Sequence, residues 1–267
     1  MTDDLTLLGL MDEDDILLDD AALVLALLDH PETDTAPYEA LLEALATRLD
    51  AVGADADTPR GQAEALAEVF AGEFGFAGDR DSYDDPANAD LIRVLDRRRG
   101  LPVSLSILYV AAARRLGWTA NALDVPGHVL VLVGQEVAPV IIDPFRGGSI
   151  VEPEQLVALL AASNPGPVEA VRHVAAMPNR AVLVRLLQNQ ASRAEQAGKG
   201  RRALELYRRM TVMAPEHGPA WWERARLELV DGDVEAARQS LTDMLEVTRE
   251  PELRTRVTDL LTALVPD

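Results

Sequence analysis

The sequence predicts an α+β core followed by paired helices that repeat, and three patterns carry that expectation. Pro102 to Leu116 is apolar almost all round, as a helix buried on every side must be. Short apolar runs separated by turn residues follow it at once and read as strands. From Asn179 onward everything reads as helix, with six positions recurring at a spacing of 34 residues.

Composition narrows the class. Hydrophobic residues make up 48% of the chain and aromatics only 4%, so the core must rest on Leu, Val and Ala. That favours helices, because Ala and Leu lose little conformational freedom in them. The absence of cysteine removes disulfides, thiolate metal sites and any thiol nucleophile. The N-terminus has no Lys or Arg ahead of its apolar residues and does not read as a secretory signal. The longest uncharged apolar run, Leu101 to Ala113, is too short to span a bilayer. A cytoplasmic protein with no membrane partner is the expectation. The net charge of −20 comes entirely from residues 1–90, which hold 24 acidic and 3 basic side chains against 21 and 22 in the remainder. Such a face repels phosphate backbones, so nucleic acid is not an expected partner. It reads either as a surface for a basic partner or as a means of staying soluble.

Along the chain, acidic clusters at Asp12 to Asp15 and Asp19-Asp20 alternate with Leu-rich patches. A helix is expected from Asp20 to Asp29, ending where Pro31 disfavours a helical His30. A second runs from Pro37 to Val52 with Leu41, Leu42, Leu45 and Leu49 on one face, and a third from Pro59 to Ala71. Residues 72–86, rich in Gly and Asp, read as an ordered loop. Leu91, Ile92 and Leu95 mark a short helix running into Arg97-Arg98-Arg99, and Pro102 suits the first turn of the next. Strands are expected at Trp118 to Val125, His128 to Val133, Val137 to Ile142 and Ser149 to Val151. Their short connections make them antiparallel neighbours. In the last third Leu187 recurs as Trp221, Ala191 as Ala225, Gly198 as Gly232, Ala203 as Ala237, Tyr207 as Leu241 and Met210 as Met244. A final helix, Glu252 to Leu264, would cap the stack.

Few residues can carry chemistry. Of four histidines, His30, His173 and His217 have no recognisable neighbour and read as surface residues. His128 opens an apolar strand and Asp143 closes another, so an antiparallel sheet can bring both to one edge, where Asp143 would fix the imidazole. The pair reads equally well as a satisfied structural contact. Ser104 and Ser106 lie in the first turns of the buried helix. Arg98 or Arg99, with Arg97, could hold an anion near the helix start, or pair with the acidic N-terminal region. Trp221 takes a packing position of the repeat, which leaves Trp222 as a candidate contact residue. No metal site and no cofactor are expected, since the histidines are scattered and Gly147-Gly148 lacks the spacing and the Lys of a phosphate loop.

The segment RRGLPVSLSILYVAAARRLG, followed by VPGHVLVLV and IIDPFRGG, closely resembles the bacterial SirB-type branch of the transglutaminase-like superfamily. MPNRAVLVRLLQNQ, from Met177, resembles the segment leading into that family's tetratricopeptide region, and Pro215 follows Tyr207 by eight residues as in that pattern. The resemblance implies a cysteine-protease-like core in which a Cys at a helix start attacks an amide, a His is the base and an Asp orients it. His128 and Asp143 match the last two members, whereas the nucleophile's place falls on Pro102. Ser104 sits two residues on, about 200° round the helix, and is a poor substitute. The division expected is an acidic helical region, 1–90, packed on a core of 91–177, then helical repeats over 178–267. A non-catalytic module that binds a peptide or a protein is the expected function. The rival is a hydrolase or peptidase using His128 and Asp143 with Ser104 or an activated water.

Overall fold

A computed structural model describes residues 2–135, 138–161 and 175–264. The chain divides into two compact units, one formed by residues 13–183 and the other by residues 1–12 together with those from 184 onward. That differs from the three-part division at 90/91 and 177/178. The acidic helices after residue 12 and the core make one body, because α2 (Leu18–Leu27) and α3 (Ala36–Val52) both pack on α6 (Pro102–Arg115).

The α+β unit is built around α6. Twelve of its residues are buried, Pro102 to Ala113 without a break, as its all-round apolar sequence requires. Beside it stands a sheet of four antiparallel strands in the order β3 (Ala120–Val125), β4 (His128–Val133), β5 (Val140–Asp143) and β6 (Ser149–Ile150). The first strand starts at Ala120, not Trp118. The Trp118 ring instead lies over Gly53 at the end of α3, where any Cβ would come within 2.5 Å of it. Val137 lies outside the described residues, and the third strand begins at Val140.

Side chains alternate across this sheet. Leu123, Val125, Leu130, Leu132 and Ile141 form a cluster with Leu156, Leu159 and Leu160 of α7 (Pro153–Ala161). The alternate residues Ala122, Val129, Val131, Val133 and Ile142 are buried on the face that α6 covers. Two features depart from the expected element ends. The helix begun at Pro59 is α-helical only to Ala67 (α4) and continues as a π-helical stretch over Glu68–Glu73. Residues 72–90 are held by a short parallel pairing of β1 (Ala77–Gly78) with β2 (Arg99–Gly100) and by a 3-10 turn at Pro86–Ala89. The few aromatics concentrate here: Phe70 stacks on Tyr109 at 4.3 Å and packs on Phe76 at 5.7 Å, all three fully buried.

The second unit is helical. Hairpins of α8 (Asn179–Gln196) with α9 (Gly200–Met213), and of α10 (Gly218–Val230) with α11 (Val234–Val247), follow one another and end on α12 (Pro251–Ala263). The matched positions are matched in space: Ala191, Ala203, Ala225 and Ala237 are buried, as are Leu187, Trp221, Tyr207, Leu241, Met210 and Met244. Gly198 and Gly232 both adopt positive φ, 70° and 84°, where each hairpin turns, a conformation that favours glycine. An additional helix not expected from the sequence, α1 (Thr2–Leu10), packs on α9 through buried Leu5 and Leu8. Gly9 permits the approach, since a Cβ there would lie 2.4 Å from the Val212 carbonyl oxygen. No helix among the described residues is long and apolar enough to cross a membrane.

Candidate functional site

The β4–β5 register, Val131 opposite Ile142, places Asp143 across from Leu130 and two residues diagonal to His128 on the same face. The result is a contact of 2.9 Å between His128 Nε2 and Asp143 Oδ1. Asp143 ends its strand and caps the 3-10 turn Pro144–Arg146, so the same oxygen also accepts the N–H groups of Phe145 at 3.0 Å and Arg146 at 3.3 Å. With the carboxylate accepting, the proton is assigned to Nε2, and in that tautomer Nδ1 is an acceptor. Gly147 and Gly148, at φ 71° and 77°, turn the chain back into β6, and a Cβ on Gly148 would meet Tyr109 Cε1 at 3.1 Å. The Tyr109 hydroxyl is buried without a hydrogen-bond partner, and burial, with the Asp143 charge as a lesser cause, pushes its pKa up.

The pair borders a cleft of about 530 Å³ at the end of the sheet. Its walls are the Pro126-Gly127 turn, residues 149–151, and Gln155, Ala158 and Leu159 of α7. No residue of α6 lines it. On another side the Phe145 ring meets His128 edge-on at 5.9 Å and fills the space over Gly78, which pairs with Gly100 just before α6. The imidazole therefore faces a cleft shaped by α7, with an aromatic ring packed between it and Gly78.

Ser104 does not join this group. It is fully buried, and its hydroxyl donates to the Asn88 carbonyl at 2.8 Å, fixing the turn before α5 (Leu91–Arg97) to the start of α6. Ser106 is likewise buried, 3.4 Å from the Val129 carbonyl. Arg98 and Arg99 spend their guanidinium groups on the backbone. Arg98 donates to the Leu95 carbonyl at 2.7 Å and lies over the Phe76 ring, and burial lowers its pKa. Arg99 donates to the Gly75 and Arg98 carbonyls. Arg97 takes the ion pair with the acidic region, reaching Asp79 at 2.7 Å. Trp222 is half-buried, under the Arg256 guanidinium, in a groove of about 290 Å³ that His217, Tyr207 and Met244 also line.

Two readings of histidine need correction. His30 is not without a neighbour, since its Nε2 lies 2.6 Å from Asp90 Oδ2, sixty residues away. His217 is half-buried, and burial holds its pKa below the usual value. His173 lies outside the described residues. Arg146 and Phe145 escaped the sequence reading, though an aromatic and then a cation after the strand-ending Asp143-Pro144 were the available signal.

A long buried helix against an antiparallel sheet that carries a His–Asp pair is the frame of a transglutaminase-like domain. The family model described as the transglutaminase-like superfamily matches residues 36–188, more than half of the chain, and the chain belongs to that superfamily. A UPF0162 protein of Xylella fastidiosa is 28% identical over 244 residues, spanning 90% of this chain and 87% of its own length. One of Vibrio cholerae is 30% identical over 186 residues, 68% of each chain. Mouse F-box only protein 21 is 35% identical over a stretch of 68 residues, 26% of this chain and 11% of that protein.

Proposed function

We propose that this is a non-catalytic member of the superfamily, of its SirB-type branch, in which the cleft beside His128 and Asp143 binds a peptide or a segment of another protein. One observation carries the reading: neither residue at or near the nucleophile's place offers an attacking atom. Pro102 has none, and the Ser104 hydroxyl is buried against the Asn88 carbonyl. The cysteine-free chain supplies no thiol from elsewhere. The helical hairpins, read as tetratricopeptide-type repeats, add a second concave surface at Trp222 for a protein partner. The setting is the cytoplasm, and neither nucleic acid nor a membrane is the partner. No metal and no cofactor take part.

The rival, a hydrolase in which His128 activates water while Asp143 orients the ring, draws support from the placement of the pair on an open cleft. Steady-state assays on peptide amides and esters separate the two. No turnover above that of a His128→Ala variant is expected. Turnover lost in His128→Ala but kept in Ser104→Ala would establish the water mechanism, and turnover lost in both a serine hydrolase. A Pro102→Cys variant carries the molecule's single thiol, at a buried position outside the cleft. It should alkylate no faster than a free cysteine of pKa about 8.5. Rapid alkylation at pH 6, abolished by His128→Ala, would instead show that the helix start still addresses the imidazole.

A further inference from the structure

We infer that the cleft at His128 reads the free C-terminus of a peptide ending in an aliphatic residue. This rests on the binding reading above and specifies its ligand. The cleft mouth and floor differ in chemistry. At the mouth, Arg146 is 62% exposed and makes one long ion contact, Nε to Asp143 Oδ2 at 3.4 Å. Its other N–H groups have no hydrogen-bond partner among the described residues. Asp143 is only 5% exposed, and His128 with two backbone N–H groups already surrounds its oxygen. The exposed charge at this mouth is therefore positive, in a molecule of net charge −20.

A guanidinium fork with donors to spare matches a carboxylate in shape and charge. Gln155 adds a second donor: its Oε1 accepts the Glu152 N–H, which leaves the NH₂ group uncommitted. His128 Nδ1 supplies the complementary acceptor, suited to the backbone N–H of the terminal residue. Ile150, Val151, Ala158 and Leu159 form the apolar part, which takes the side chain of that residue. At about 530 Å³ the cleft lies within the range of small-ligand sites and is too small for a folded surface. A carboxylate, an adjacent N–H and an aliphatic branch occur together at a peptide C-terminus. An internal segment lacks the first.

The full-length protein is probed with arrays of short peptides varied at the last position, displayed as free acids and again as C-terminal amides. Retention of peptides ending in Leu, Ile or Val is expected, with affinity falling about tenfold or more on amidation. Arg146→Ala should lose the discrimination between acid and amide at an unchanged thermal midpoint, the side chain being exposed. Retention of no peptide, or an acid-to-amide ratio unaltered in Arg146→Ala, overturns the inference. So does binding of 4-methylpentanoate as tight as that of the peptides, which assigns the cleft to free aliphatic acids. Equal binding of acids and amides, weakened together by His128→Ala, overturns the C-terminal assignment and leaves peptide binding standing. Cleavage of the peptides that depends on His128 overturns the binding reading itself.

Discussion

The two units solve the burial of polar groups in opposite ways. In the repeat unit the buried Glu228 is satisfied by adjacent helices, by Arg208 of the preceding hairpin, by Arg224 one turn away on its own helix, and by the Ser240 hydroxyl at 2.6 Å. In the α+β unit several buried polar residues tie separate segments together. Ser104 holds Asn88, Arg97 holds Asp79, and Asn179 receives Arg114 Nη1 while donating to the Glu13 and Ile16 carbonyls. A stack of similar modules needs only neighbour contacts, whereas a unique core has to specify each pairing separately. Damage should therefore stay local in the first unit and spread in the second.

The largest test of that contrast is Phe70→Ala, which removes a ring stacked on Tyr109 at the centre of the α+β unit. A loss of about 3–5 kcal/mol is expected in denaturant unfolding, against about 2–3 kcal/mol for Leu241→Ala in the repeats. If the two variants shift one common transition equally, the units do not unfold as separate bodies and the contrast fails. Next comes Glu228→Ala, which strips two guanidinium groups and a buried hydroxyl of their acceptor. About 2–3 kcal/mol is expected, while Ser104→Ala, losing one neutral bond, should cost about 1 kcal/mol. Equal losses would refute the distinction between a shared network and a single tie.

Acid should separate the units further. His217 is held below its ordinary pKa by burial, so its stabilising contribution is complete above about pH 6.5 and is lost as pH falls through the folded value. Asp79 is held low by the Ser82 N–H and then, against burial, by Asn88 and Arg97, so its contribution is lost only as pH falls below about 3.8. His217→Gln should flatten the pH dependence of the repeat unit in mild acid, and Asp79→Asn that of the α+β unit in strong acid. Unfolding curves collected across pH that show the reverse order would sink this. The smallest effects belong to the helix caps. Thr58→Ala and Asp233→Ala each remove a side-chain acceptor for a first-turn N–H, of Gly61 and Ala236, and should cost about 1 kcal/mol each. Any difference between them measures how far a frayed end is tolerated in each unit.

The same contrast explains how much could be read from the sequence. The repeat was legible because its constraint recurs: small residues at Ala191 and Ala225, turns at Gly198 and Gly232, all at one spacing. The strands and the buried helix were legible through periodicity, and His128 with Asp143 through their positions at strand ends. What could not be read were single pairings across long separations. Nothing local in Ser104 points to Asn88, nor in His30 to Asp90. A conformational tie of that kind leaves no period to detect. Helix α1 was missed because Leu7 and Leu10, 62% and 78% exposed, blur its one apolar stripe.

Gly9 against Val212 has a consequence for biosynthesis. The α+β unit is continuous in sequence and can fold as it leaves the ribosome, but the seat of α1 is made some 200 residues after α1 itself. At about 5–20 residues per second, Leu5 and Leu8 stay uncovered for roughly 10–40 s. Helix α1, made before the α+β unit, is thus among the last elements described to find its place. Until then it is an apolar handle open to a chaperone.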